Sequence, residues 1–346
     1  MKNGAEEKNR TGPVNFIEWL VSRSYLYNTV GNNGKALEDA CNAVGISREK
    51  GLKVPLAASL LQRAAVFNAT NRYREVLEDI NEALPIIEAA DDMQGLAQCY
   101  NIYGVVHRAR SDYPKAIDYY KKALEVYNRT GDSSGRGASV NNIGMAYLEC
   151  GEDEKALAYL SEALTYFKKV EHPNGTSSCL TNIGHLHRKQ GRTDEALNCY
   201  REALSLCERT GDTYLKGYNI NNIALVLKIQ GKHKEAVIQY KRALKMFRDS
   251  GNKRGEALVI TNIAAIYKIT NEHEKAIKKF REALFIFRES GDRKSEATVL
   301  YNISKAEKLL GREEKARKGF LEAHRLAESI GDKRISELAL HELNGN

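Results

Sequence analysis

The chain of 346 residues contains five prolines and one tryptophan. So little proline leaves long helices uninterrupted. No apolar run approaches the roughly 18 residues of a membrane span, so membrane insertion is not expected. Residues 1–16 are polar and lack the apolar stretch of a secretory signal. None of the six cysteines (Cys41, Cys99, Cys150, Cys179, Cys199, Cys207) stands in a CxxC pair. A reducing, cytoplasmic compartment is expected, with the thiols acting as small hydrophobes. The sequons at Asn68, Asn128, Asn174 and Asn302 are then expected to stay unmodified.

Chemical motifs are missing as well. No HExxH, no Gly-rich phosphate loop and no Cys/His ligand spacing occurs. His185 and His187 are two residues apart, about 200° around a helix, and cannot share a metal. The acid–base clusters, such as Glu152-Asp153-Glu154-Lys155, read as solvated helix faces. These absences argue against an enzyme, and for a chain with no cofactor and no metal.

What is present is repetition. Charged residues make up 28% and hydrophobic residues 42% of the chain, as in a soluble folded protein. The alanine pair Ala116 and Ala123 recurs at steps of 40 residues through Ala156/Ala163, Ala196/Ala203, Ala236/Ala243, Ala276/Ala283 and Ala316/Ala323. Backwards it continues to Val76/Ala83 and Ala36/Ala43. Eight units follow in register: 17–56, 57–96, 97–136, 137–176, 177–216, 217–256, 257–296 and 297–336. A period of this size signals stacked supersecondary units.

Each unit reads as two helices. Twelve residues before the first alanine stands a small residue (Gly104, Gly144, Gly184, Ala224, Ala264, Ser304). Four after it stands a large one (Tyr120, Leu160, Tyr200, Tyr240, Phe280, Phe320). Small residues let helix backbones approach, and large ones fill the space beside them. Gly or Asn marks the turn inside a unit, with Ser111 as the exception. Between units a Gly-Asp turn is frequent, the Asp placed to cap the next helix.

With Gly144, Tyr147, Ala156, Leu160 and Ala163 in unit four as its clearest copy, this pattern resembles the tetratricopeptide repeat. Units three to eight match closely, units one and two less so. The 40-residue period is similar to the long repeats of Pins-like adaptors, kinesin light chains and bacterial peptide-sensing regulators. The resemblance implies an all-α fold: a right-handed α-solenoid of eight helix-turn-helix units whose first helices line a concave groove. Residues 332–346 read as a C-terminal capping helix and tail, with Ile335, Leu338, Leu340 and Leu343 on its apolar side. Unit one carries Arg23 where units four to eight have Ile, and is expected as the N-terminal cap. Residues 1–16 are expected to be a disordered tail.

Helical geometry separates two faces of each first helix. With each unit numbered from its first residue, positions 4, 7, 8 and 11 share one side and positions 2, 5, 6, 9, 12 and 13 the other, at about 100° per residue. The first set is small and apolar, so it is core. In the family resembled, the second set faces the groove. Position 6 holds Asn142, Asn182, Asn222, Asn262 and Asn302 in five consecutive units. An amide both donates and accepts, so a ladder of Asn suits an extended peptide backbone. The alternative is structural, each amide bonding to a neighbouring helix. Family members similar to this chain use Asn at this position to hold peptides. Position 12 holds Arg108, Arg188, Lys228, Lys268 and Lys308, with Leu148 breaking the column. Residues 217–336 carry 26 Lys+Arg against 15 Asp+Glu, a net of +11 within a chain of +8. His185, Tyr218 and Tyr301 fall on the same face.

The expected function is a non-catalytic scaffold or adaptor that clamps an extended, acidic segment of another protein. A nucleic-acid (RNA) binder using units six to eight is the rival, with Tyr218 and Tyr301 stacking on bases. A third reading is a sensor of a short signalling peptide. Self-association through the repeat ends is an added expectation.

Overall fold

The computed structural model describes residues 3–344, with side chains described from residue 12 onward. Among the described residues every regular element is a helix, seventeen in all. The first helices of the repeats are α1 (Asn3–Thr29), α3 (Lys53–Ala69), α5 (Met93–Ala109), α7 (Ser133–Cys150), α9 (Pro173–Lys189), α11 (Thr213–Ile229), α13 (Lys253–Ile269) and α15 (Arg293–Leu309). The second helices are α2 (Asn33–Glu49), α4 (Tyr73–Ala89), α6 (Tyr113–Thr130), α8 (Asp153–Lys169), α10 (Thr193–Thr210), α12 (His233–Asp249), α14 (His273–Ser290) and α16 (Glu313–Ile330). A short helix, α17 (Lys333–Leu343), ends the order. Its contacts divide the chain into two compact units, Met1–Leu215 and Lys216–Asn346, with the division inside α11.

From α3 to α17 the first helices begin every 40 residues without a slip. They begin four residues ahead of the unit boundaries read from the sequence, for example at Lys253 rather than 257. The packing motif marks the middle of a helix, whereas its start is set by a cap. Asp132, Asp212, Asp292 and Asp332 each accept the backbone N–H three residues on, at 2.9 to 3.1 Å. His172 does the same through Nδ1, at 2.9 Å from the Gly175 nitrogen. Such a cap contributes about 1 kcal/mol.

The turn inside every repeat places one residue in the left-handed region. Ser111 adopts φ 61° there, close to Asn71 and Asn271 at 60° and 61°. Between repeats, Asp91 and Glu171 are held at φ 51° where most repeats have glycine. The small-to-large pairing is steric. A Cβ added to Gly144 would lie 2.8 Å from Leu160 Cγ, and one added to Gly184 would lie 2.7 Å from the Tyr200 ring.

In the unit Met1–Leu215, residues 12–16 belong to α1 rather than to a disordered tail. Val14, Ile17 and Leu20 continue a helical apolar spacing, and Ile17 and Leu20 are buried against Ala43. The rest of the expected tail, 1–11, lies outside the residues described with side chains. Arg23 replaces Ile because its neighbour changes with it: Arg23 Nε and Nη2 donate to both Asp39 oxygens at 2.7 and 2.6 Å. Arg63 and Asp79 repeat this in the second repeat at 2.9 and 2.6 Å.

In the unit Lys216–Asn346, α17 lies where a ninth first helix would start, and packs on α15 and α16. Ile335 and Ala339 are buried, whereas Leu338 and Leu340 are exposed. The apolar side of the cap is therefore narrower than the sequence pattern suggests, because α17 has no second helix of its own to cover the remainder.

Candidate functional site

The first helices fix the positions of the Asn column, and the amides divide by use. In the first unit, Asn182 Nδ2 donates to Asn141 Oδ1 at 2.9 Å, joining α9 to α7. Asn142 makes no side-chain hydrogen bond among the described residues. In the second unit, Asn262 Nδ2 donates to Asn221 Oδ1 at 3.0 Å, joining α13 to α11. Asn302 Nδ2 donates to the Thr298 carbonyl at 2.9 Å, and its Oδ1 accepts from Lys268 Nζ at 2.7 Å. Asn222 is buried, and its Oδ1 is within 3.5 Å of Asn221 Nδ2. The column thus carries structural bonds between repeats. Asn182 and Asn262 each spend only one donor on them, so an amide N–H and an oxygen lone pair remain on each. Asn141 and Asn221, one residue before the column, were legible as partners: position 5 carries Asn in three units.

The basic column divides in the same way. In the first unit, Arg108 pairs with Glu149 and lies against the Tyr120 hydroxyl. Burial pushes the Tyr120 and Tyr200 phenols up to about 12, and Arg108 and Arg188 respectively act to lower them. Arg108 thus joins α5 to α7, and each guanidinium stands near a buried phenol of its own repeat. Lys189 bonds to the Leu148 carbonyl at 3.2 Å and to Asp153 at 2.8 Å.

In the second unit the lysines face a different environment. Lys305 and Lys308 converge on Glu342 of α17 at 2.6 and 2.9 Å. Burial works to raise the Glu342 carboxyl, and the two ammonium groups more than offset it, holding it below the ordinary carboxylate range. Lys268 lies one repeat earlier. Burial and the nearby Lys305 charge depress its pKa, and among the described residues no carboxylate pairs with it. The Lys268–Asn302 and Lys308–Glu342 contacts are equivalent, each joining position 12 of one repeat to position 6 of the next. Glu342 of α17 thus takes, against Lys308, the place that Asn302 takes against Lys268.

The three aromatic candidates pack on second helices. His185 meets Tyr200 edge-on at 5.7 Å, Tyr218 meets Phe247 at 4.9 Å, and Tyr301 lies tilted on Phe320 at 5.6 Å. Sequence reasoning missed an apolar cavity of about 550 Å³ in the first three repeats, lined by Val21, Tyr25, Val54, Leu61, Ala65 and Ile102. The signal was there at position 5, which is aliphatic in units one and two (Val21, Leu61) and Asn or Thr in units three to seven.

Among the described residues no group of three or more His, Cys, Asp or Glu could hold a metal ion. No described helix is long and apolar enough to cross a membrane.

Several solved structures share this fold. A Rap protein complexed with competence and sporulation factor is 14% identical, with a TM-score of 0.63 over 95% of this chain and 97% of that one. The Rap conjugation gene regulator of plasmid pLS20, in complex with the Phr* peptide, is 16% identical, with a TM-score of 0.65 over 83% and 77%. Aspartyl phosphate phosphatase F from Bacillus subtilis is 14% identical, with a TM-score of 0.55 over 95% and 93%. No curated relative matches in sequence. A family model for anaphase-promoting complex subunit 5 matches residues 4–58. The tetratricopeptide repeat model matches residues 55–129, 136–209, 176–249, 214–289 and 255–329. With helix pairs recurring every 40 residues and that model spanning most of its length, the chain belongs to the tetratricopeptide repeat family.

Proposed function

We propose that this protein is a non-catalytic peptide-binding scaffold that holds an extended acidic segment of a partner on the first helices of its second unit. The observation that carries the reading is Lys268. Its ammonium is partly desolvated, lies near Lys305, and meets only an amide oxygen. An incoming carboxylate gains a charge-assisted bond there and relieves the repulsion between two lysines. Asn302 bonds to Lys268, and Asn262 lies on the same helix as that lysine, each with an amide to bond the peptide backbone. Two Rap proteins that share the fold were solved with a factor or peptide bound, which supports a peptide as ligand. The acidic preference rests on this chain's own lysines.

The RNA reading is weaker. Tyr218 and Tyr301 are engaged with Phe247 and Phe320, so neither offers an open face on both sides.

A nuclease-treated extract tests the proposal, with retained proteins compared between wild type and Lys268→Glu/Lys308→Glu. A set of proteins retained by the wild type and lost from the variant is expected. Identical retention by both removes the lysines from the contact surface. Retention seen only in a parallel extract without nuclease transfers the function to nucleic acid.

A further inference from the structure

Resting on the peptide-binding reading, we propose that Ile229, Ile269 and Leu309 form an aliphatic rail that takes aliphatic side chains of an extended acidic segment of a partner protein. These three residues end the first helices α11, α13 and α15. They stand at position 13 of consecutive repeats and are 50, 53 and 59% exposed. Single exposed aliphatics are ordinary. Three at one register, in three successive repeats, are not scattered.

The turn that follows does not require them. The five preceding repeats carry Thr29, Ala69, Ala109, Glu149 and Lys189 at this position. Those repeats make the same left-handed turn, with φ 60–90° against 61–76° in the last three. Other exposed apolar residues of this unit behave differently. Phe285 and Ile238 lie on second helices, and their counterparts in the other repeats of this unit are Lys245, Arg325, Lys278 and Lys318. In the first unit the corresponding edge is closed by Arg108–Glu149 and Lys189–Asp153. In the second unit it is open and apolar.

Charge names the occupant. Each rail residue directly follows a lysine, Lys228, Lys268 or Lys308, and residues 217–336 carry a net +11. A ligand that covers the rail passes Lys268, with which no described carboxylate pairs, in a segment of net positive charge. Neighbouring helices pack about 8–10 Å apart, and an extended chain in the polyproline II conformation advances about 3.1 Å per residue with about three residues per turn, so every third side chain falls on one side. One aliphatic side chain in every three then meets the rail, with acidic residues between.

A phage-displayed library of random twelve-residue peptides, selected on the full chain, tests this. Wild type should enrich acidic peptides with aliphatic residues three apart. The variant Ile229→Ser/Ile269→Ser/Leu309→Ser alters exposed side chains only. It should still enrich acidic peptides, lose the aliphatic spacing, and bind the wild-type selections at least about tenfold more weakly. If the variant enriches the same aliphatic spacing, or wild type enriches acidity alone, the rail is refuted while the acidic groove stands. If wild type enriches no acidic peptide, both readings fall.

Discussion

Glu171 sits at φ 51° in a turn where most repeats use glycine. The left-handed conformation costs a residue with a Cβ about 1 kcal/mol. Glu171→Gly should therefore raise stability by up to about 1 kcal/mol, less the entropy glycine adds to the unfolded chain; urea unfolding measures it. Gly184 is the opposite case. A methyl group there meets the Tyr200 ring at 2.7 Å, so Gly184→Ala should cost about 1–3 kcal/mol. An unchanged urea midpoint would mean that the two helices slide apart freely. This much was legible in the sequence, because small and large residues recur at fixed offsets. The roles of Arg108 and Arg188 were not. A helical wheel puts both in the groove column, but it does not show that Arg108 pairs with Glu149 of the next repeat or that each guanidinium stands near a buried phenol.

At the scale of the element, the N-terminal repeats exchange an apolar contact for an ionic one. Arg63 and Asp79 occupy places held by Ile143 and Tyr159 in the fourth repeat. Asp79 is buried, and its loss leaves a half-buried guanidinium without a carboxylate. Asp79→Ala should cost about 3–5 kcal/mol. The double change Arg63→Ile/Asp79→Tyr should recover most of that, which unfolding of the two variants checks. Sequence alone flagged Arg23 as a departure but not its partner, since the pairing spans sixteen residues and two helices.

The C-terminal cap adds a pH dependence. The Glu342 carboxyl is held below its unfolded value by Lys305 and Lys308, against the effect of burial. Its contribution is therefore present above the unfolded carboxylate range, near 4.3, and is lost as pH falls through the depressed folded value. The difference in thermal midpoint between wild type and Glu342→Gln should be full at pH 6 and shrink on acidification. A difference that stays constant would show that Glu342 contributes by packing rather than by charge.

For the molecule as a whole, the repeat count, the period and the C-terminal helix were all readable from 40-residue spacing. The two uses of the Asn column were not, because the same residue type serves inter-repeat bonds at Asn182 and Asn262 and accepts from a lysine at Asn302. Nor was the meeting of Lys305 and Lys308 on Glu342, since α17 is an added helix outside the eight units. Under the proposed reading, the charge of residues 217–336 should make binding of an acidic segment sensitive to salt, and Lys268→Glu should reduce that sensitivity along with the affinity.

The most direct measurement is site-specific photocrosslinking in a nuclease-treated extract. A photoreactive phenylalanine derivative would replace Ala265, at position 9 of the face of α13 that helical geometry assigns to the groove, or Ile238, exposed on α12. The account predicts that Ala265 captures acidic peptide segments, identified by mass spectrometry, and that Ile238 does not. Capture at Ile238 alone, or equal capture of unrelated segments at both, would contradict it.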